Sequence, residues 1–223
     1  MNWERARTPD QQEQRRQEIL AAAASLFREL AYEDVSLNAV ARKAGFTKSN
    51  IYRYFASREE IFLSLFLVDF SEWADEFIEV LKTLPADILA SDLAEVWIEV
   101  LMRHERMLDI IPLLGVALER NASENVLFHF KFKTHQLLAH IAGSLAVPLP
   151  MMTAEQGSSL ITRVHGLVAG LWPFAKPNET MKAVLQHPEL GPSHFSFNDT
   201  LLGAIEIFVR DIQKSTPPCK TGV

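Results

Sequence analysis

The stretch from Ser36 to Phe55 constrains this chain more than any other, because it starts two helices and ends one of them within a few turns. Ser36 can cap the first: its hydroxyl can accept from a free amide two or three residues on. Val35 and Val40 take the flanking positions of a hydrophobic staple. Leu37, Val40 and Ala41 follow at helical spacing, and Ala44-Gly45 ends the helix with the residue best able to adopt positive φ. Thr47 is a second cap, with Phe46 and Ile51 as its staple. Ser57-Arg58-Glu59-Glu60 is a third start with the pattern of a capping box, flanked by Ala56 and Ile61. Two short helices joined by a glycine-containing turn of about four residues form the geometry that places a helix in a DNA major groove.

Charge supports that reading. The chain carries a net −6, but residues 1–58 hold a net +3 and residues 59–223 a net −9. A basic head on an acidic body suits a protein that meets nucleic acid at one end only. Arg5 and Arg7, in a polar N-terminal arm, are placed to follow a phosphate backbone. The arm lacks the apolar run of a signal peptide, and the longest uncharged stretch, 134–154, contains Gly143, Pro148 and Pro150. A cytoplasmic protein is therefore expected. The single cysteine, Cys219, precludes an intrachain disulfide or a cysteine-based zinc site.

Around this head the pattern is helical throughout. Ile19, Ala23, Phe27 and Leu30 form one stripe on a helix from Pro9 to Leu30. From Ser57 a long helix carries Phe62, Phe66, Phe70, Trp73, Phe77 and Leu81 as far as Pro85. Further helices are expected near 87–105, 109–120, 123–146, 153–174 and 198–214, with a short one near 178–187. Thr153 to Gln156 forms another capping box. The fold class is all-α: a three-helix head joined by a long helix to a helical second domain. The expected division is 1–60 for the DNA-binding domain, 61–214 for a ligand-binding and dimerisation domain, and 215–223 for a disordered tail.

The first 60 residues resemble the DNA-binding domain of the tetracycline-repressor (TetR/AcrR) family of bacterial transcriptional regulators. The carrying residues are Ile19 to Ala23 with Phe27, Val40 to Lys48, Ile51 to Phe55, and Ser57 to Glu60. Two positions depart from the family pattern. Ala31-Tyr32 stands where glycine usually precedes an aromatic, and Ser49 stands where glycine usually follows the lysine. The resemblance implies base reading by Thr47, Lys48, Ser49, Asn50 and Arg53, since Lys or Arg can pair with guanine and Asn with adenine. Ser36, Tyr52, Tyr54 and Arg58 are then candidate phosphate contacts, which position without specifying.

The resemblance also implies a homodimer on palindromic or near-palindromic operator DNA, made by the last two long helices. Gly157, Gly166, Gly170 and Ala204 would allow close helix approach, and Leu160, Leu167, Leu201, Ile205 and Phe208 would supply apolar area. It implies a repressor released by a small-molecule effector in the second domain. The candidate lining there is Trp97, Leu101, His104, Phe128, Phe132, His135, Arg163, His165 and Trp172, which mixes apolar walls with a few polar groups. Control by a protein partner, or action as an activator, are the alternatives. An enzyme is not expected: the chain has no Gly-x-Ser-x-Gly elbow, phosphate loop or His-Glu-x-x-His. No cofactor or metal is expected, and His135 and His140 are off the spacing of a helical metal pair.

Overall fold

The computed structural model describes residues 8–191 and 195–215. The arm bearing Arg5 and Arg7, and the tail after Ser215, lie outside the described residues. The described residues form helices joined by turns and loops and contain no strand. None of their helices is long and apolar enough to cross a membrane.

Contacts divide the chain into two compact units, Met1–Val68 with Leu114–Phe130, and Asp69–Leu113 with Lys131–Val223. The first contains α1 (Pro9–Glu29), a 3-10 turn (Tyr32–Asp34), α2 (Leu37–Lys43), α3 (Lys48–Ile51) and the first part of α4 (Arg58–Thr83). Thr8 caps α1 through a capping box with Gln11, and Pro9 occupies the first turn, where its missing N–H leaves nothing unsatisfied. Leu30 and Ala31 leave the helix in extended conformation, Ala31 at φ −63°. Alanine at the departure from the family pattern is therefore unstrained. Gly45, at φ 73°, supplies the left-handed residue that ends α2. Ile19, Ala23, Val40, Ile51, Phe55 and Phe62 are fully buried. Phe62 meets Phe27 and Tyr32 edge-on at centroid distances of 5.0 and 4.9 Å.

The same unit includes Leu114–Phe130, which comprises a π-helical segment (Leu114–Leu118), α7 (Glu119–Asn121) and the start of α8 (Glu124–Ser144). The helix expected over 109–120 is instead broken: α6 (Glu105–Ile110) stops just before Pro112, which lacks an N–H to donate and crowds the preceding turn.

The second unit holds the rest of α4, α5 (Ala90–Met102), α6, the rest of α8, α9 (Ala154–Ala175), α10 (Glu179–Leu185) and α11 (Phe197–Ser215). Its core sets Phe77, Leu81, Leu93, Trp97 and Leu101 with Leu160, Val164, Leu201, Ile205 and Val209. α11 packs on α5 and α9. Gln213 ties its end down by donating to the Ile88 carbonyl at 3.1 Å. Asp69 is a charged side chain buried in this core, held by two hydrogen bonds from the Arg106 guanidinium.

Candidate nucleic-acid interface and effector cavity

The head's geometry follows from local caps. The Ser36 hydroxyl accepts from the Ala39 amide at 3.2 Å, and the Thr47 hydroxyl accepts from the Asn50 amide at 3.4 Å. These bonds fix where α2 and α3 begin. α3 is a single turn, prolonged by hydrogen-bonded turns from Arg53 to Asn50 and from Tyr54 and Phe55 to Ile51. Ile51 and Phe55 are buried beneath it, so the opposite side is turned outward. Thr47, Lys48, Ser49, Tyr52 and Arg53 are exposed there, with Asn50 half-buried. The Thr47 and Ser49 hydroxyls lie 3.2 Å apart. Serine at the departure position thus shares a hydrogen bond with the helix cap. Tyr54 is half-buried, its ring edge-on to Phe46.

Arg58 serves the head differently. Its guanidinium donates to the carbonyls of Tyr32 and Glu33 at 3.2 and 3.1 Å and to Glu59, and it lies over the Tyr32 ring at 4.3 Å. A fork expected at a phosphate is thus held by internal acceptors. The capping box also differs from expectation. The Glu60 amide is capped by the Ser57 hydroxyl, but the Glu60 carboxylate accepts from Ala56 rather than from Ser57. Tyr32 donates to Glu59 at 3.2 Å. Burial, with the neighbouring Glu59 carboxylate, pushes the Tyr32 hydroxyl up to about 12. At Glu59, burial acts upward but is outweighed by hydrogen bonds from its backbone, Ser57, Tyr32 and Arg58, which hold its carboxyl below the usual value.

In the second unit, Phe70, Trp73, Trp97, Leu101, Met107, Ile111, Leu138, Ile161, Val164, His165 and Val168 line an apolar, partly open cavity of about 40 Å³. It brings together Trp97, Leu101 and His165 of the expected lining. The remaining six residues do not line it. Phe128 and Phe132 are 69 % and 51 % exposed on α8, and His135 is exposed on the same helix. His104 Nε2 lies 2.8 Å from Glu76. Trp172 is buried elsewhere, its Nε1 donating to Asp109 at 2.8 Å. Arg163 is half-exposed beside Phe208 and Asp211 of α11, at 5.4 and 3.9 Å, where the Asp211 carboxylate answers its charge. Phe70, Trp73 and Met107 also line the cavity, although each reads, in sequence, as ordinary core.

The residues assigned to dimerisation divide into two sets. Leu160, Leu201 and Ile205 are buried in the unit's own core, and so is Gly157. A Cβ on Gly157 would lie 3.1 Å from the Ala142 carbonyl oxygen, so this glycine admits α8 of the same chain. Gly166, Leu167, Gly170, Ala204 and Phe208 lie on the exposed or half-exposed sides of α9 and α11. A Cβ on Gly166 or Gly170 would meet nothing within 4 Å.

Comparison with known proteins agrees with this architecture. The family described as "Bacterial regulatory proteins, tetR family" matches residues 19–65, and "Tetracyclin repressor-like, C-terminal domain" matches residues 67–215. The HTH-type transcriptional regulator AcrR of Shigella flexneri is 27 % identical over 187 residues, covering 79 % of this chain and 86 % of that protein. The fold is similar to a TetR/AcrR-family regulator from Thermobifida fusca, with a TM-score of 0.54 and 18 % identity over 88 % of this chain and 97 % of that one. It is also similar to the fatty acid degradation regulator FadR from Bacillus halodurans, with a TM-score of 0.55 and 12 % identity over 86 % and 97 %. At these identities the structural likeness is one of fold. With a tetR-type helix-turn-helix at residues 19–65 and a tetracycline repressor-like domain across most of the remainder, the chain belongs to the TetR/AcrR family of DNA-binding transcriptional regulators and is not an enzyme.

Proposed function

We propose that the protein is a homodimeric repressor that holds a palindromic or near-palindromic operator and releases it when a small molecule enters the cavity of the second unit. In this reading residues 1–60 are the DNA-binding domain and 61–214 carry effector binding and dimerisation. Lys48, Ser49, Asn50 and Arg53, with Thr47, read base edges, and Ser36, Tyr52 and Tyr54 meet phosphates. The exposed sides of α9 and α11, with Gly166, Leu167, Gly170, Ala204 and Phe208, form the dimer face, because one such head buries too little surface for tight specific binding. DNA as the partner makes the site of action cytoplasmic.

One observation carries the effector part. α4 is a single helix whose first turn, at Arg58, is bonded to the head and whose later turns, at Phe70 and Trp73, wall the cavity. A ligand that favours one position of α4 over another shifts the DNA-binding population by its differential affinity for the two states. The test is displacement of a fluorescently labelled operator by a small-molecule library. Release by a compound that also protects the second unit from unfolding supports the reading. Release only by a protein fraction would contradict it.

A further inference from the structure

Trp73 sits in the α4 aromatic ladder, stacked against Phe70 at 5.6 Å and against Phe77 at 5.3 Å, with interplanar angles of 19° and 17°. It is 4 % exposed, and its indole Nε1 is the buried side-chain polar atom that has no hydrogen-bond partner among the described residues. The contrast with Trp172 is direct: that indole is buried to the same degree and donates to Asp109 at 2.8 Å. Leaving a donor enclosed and unpaired carries the full desolvation cost of the group, so native structures rarely retain one without a reason.

Trp73 also lines the cavity, and the rest of that lining limits what can satisfy the donor. Trp97, Leu101, Met107 and Val168 offer no polar side-chain group except the Trp97 N–H, itself a donor. His165 is the one titratable side chain of the lining and is exposed to solvent. A resident water accepting from the two indoles would leave its own protons unmatched, since the buried lining side chains supply donors and no strong acceptor. An ion would find no buried counter-charge, since the lining holds no carboxylate, lysine or arginine and its one histidine is exposed. A neutral acceptor on an apolar frame fits both conditions.

We infer that the cavity takes a neutral, predominantly apolar molecule bearing one hydrogen-bond acceptor, a carbonyl or ether oxygen, to which Trp73 Nε1 donates. The inference rests on the effector reading above and names the chemical class of the effector. The cavity of about 40 Å³ is smaller than such a molecule. Entry therefore displaces a wall, and Met107 is the wall residue whose unbranched thioether chain adapts most readily.

Acetophenone and ethylbenzene test this as a pair, since they differ in the carbonyl alone. Each is titrated into full-length wild-type protein, Trp73→Phe and Trp97→Phe, and the indole N–H resonances are followed by NMR. Loss of one resonance in Trp73→Phe assigns it. Acetophenone is expected to move the Trp73 N–H resonance downfield, whereas ethylbenzene is not. Acetophenone should bind wild type and Trp97→Phe about five-fold tighter than Trp73→Phe, the scale of one net hydrogen bond, with ethylbenzene indifferent to the change at Trp73. Should Trp73→Phe fail to fold, the downfield shift in wild type and Trp97→Phe still decides. Operator release by both probes alike, with no downfield shift, would overturn the inference and leave the effector reading standing. No binding of either probe would likewise overturn the inference, and the library screen would still decide the effector reading.

Discussion

Arg58 lies over the ring of Tyr32, its guanidinium carbon 4.3 Å from the ring centroid, and donates to the Tyr32 carbonyl at 3.2 Å. One side chain at the start of α4 thus fixes the turn that joins α1 to α2. Arg58→Ala is expected to lower the stability of the first unit by about 2 kcal/mol, from a lost cation–π contact and three charge-assisted hydrogen bonds, to the Tyr32 and Glu33 carbonyls and to Glu59. Arg58→Lys keeps the charge but loses the fork, and should recover less than half of that. Chemical denaturation reads the stability, and operator titration at several salt concentrations reads the DNA term. The salt slope should stay unchanged in Arg58→Ala; a slope lower by about one would identify a phosphate contact after all.

Arg106 is expected to be more sensitive. Arg106→Ala strands the buried Asp69 carboxylate and should cost about 3 kcal/mol, whereas replacing both partners by apolar residues of similar volume should cost much less. A double-mutant cycle on thermal or urea unfolding measures the coupling.

The three glycines of α9 divide by role. Gly157→Ala places a Cβ 3.1 Å from the Ala142 carbonyl oxygen and should lower stability by about 1 kcal/mol without changing oligomeric state. Gly166→Ala and Gly170→Ala meet nothing within the chain and should each strengthen the isolated helix by about 1 kcal/mol. If α9 forms the dimer face, the same two substitutions weaken self-association, which analytical ultracentrifugation would show as a larger dimer Kd. An unchanged or tighter dimer would remove Gly166 and Gly170 from the interface.

Glu59 makes the head acid-sensitive. Its folded carboxyl titrates below the ordinary value of 4.5, so its bonds to Tyr32 and Arg58 contribute fully above that value and are lost as the pH falls through it toward the lower folded value. The stability difference between wild type and Glu59→Gln should accordingly be constant near neutral pH and shrink below about pH 4.5. Urea unfolding at a series of pH values measures it. A difference that grows toward acid would contradict the assignment.

Local chemistry was legible in the sequence. The caps at Ser36, Thr47 and Thr153 and the glycine at Gly45 act within three or four residues, and each stands in the structure at the expected position. Pro112 acts as locally: its missing N–H divides the span 109–120, where one helix is expected, into separate segments. What sequence could not resolve is which neighbour an apolar stripe meets. Leu160, Leu201 and Ile205 carry the spacing of an interface and of a core alike, and the fold buries them in its own core. Phe128 and Phe132 have the look of cavity walls, yet α8 turns them outward. Trp73 joins Trp97, Leu101 and Met107 only through the packing of α4, α5 and α6, a relationship with no signature in linear order.

Selection of bound duplexes from a random DNA pool, with wild type and Arg53→Ala in parallel, tests the central claim most directly. Wild type should enrich a palindromic motif with half-sites one helical turn apart or a multiple of it, and Arg53→Ala should relax specificity at one base pair of each half-site. Enrichment of no motif, with binding to every sequence that fades equally as salt is raised, would contradict sequence-specific regulation.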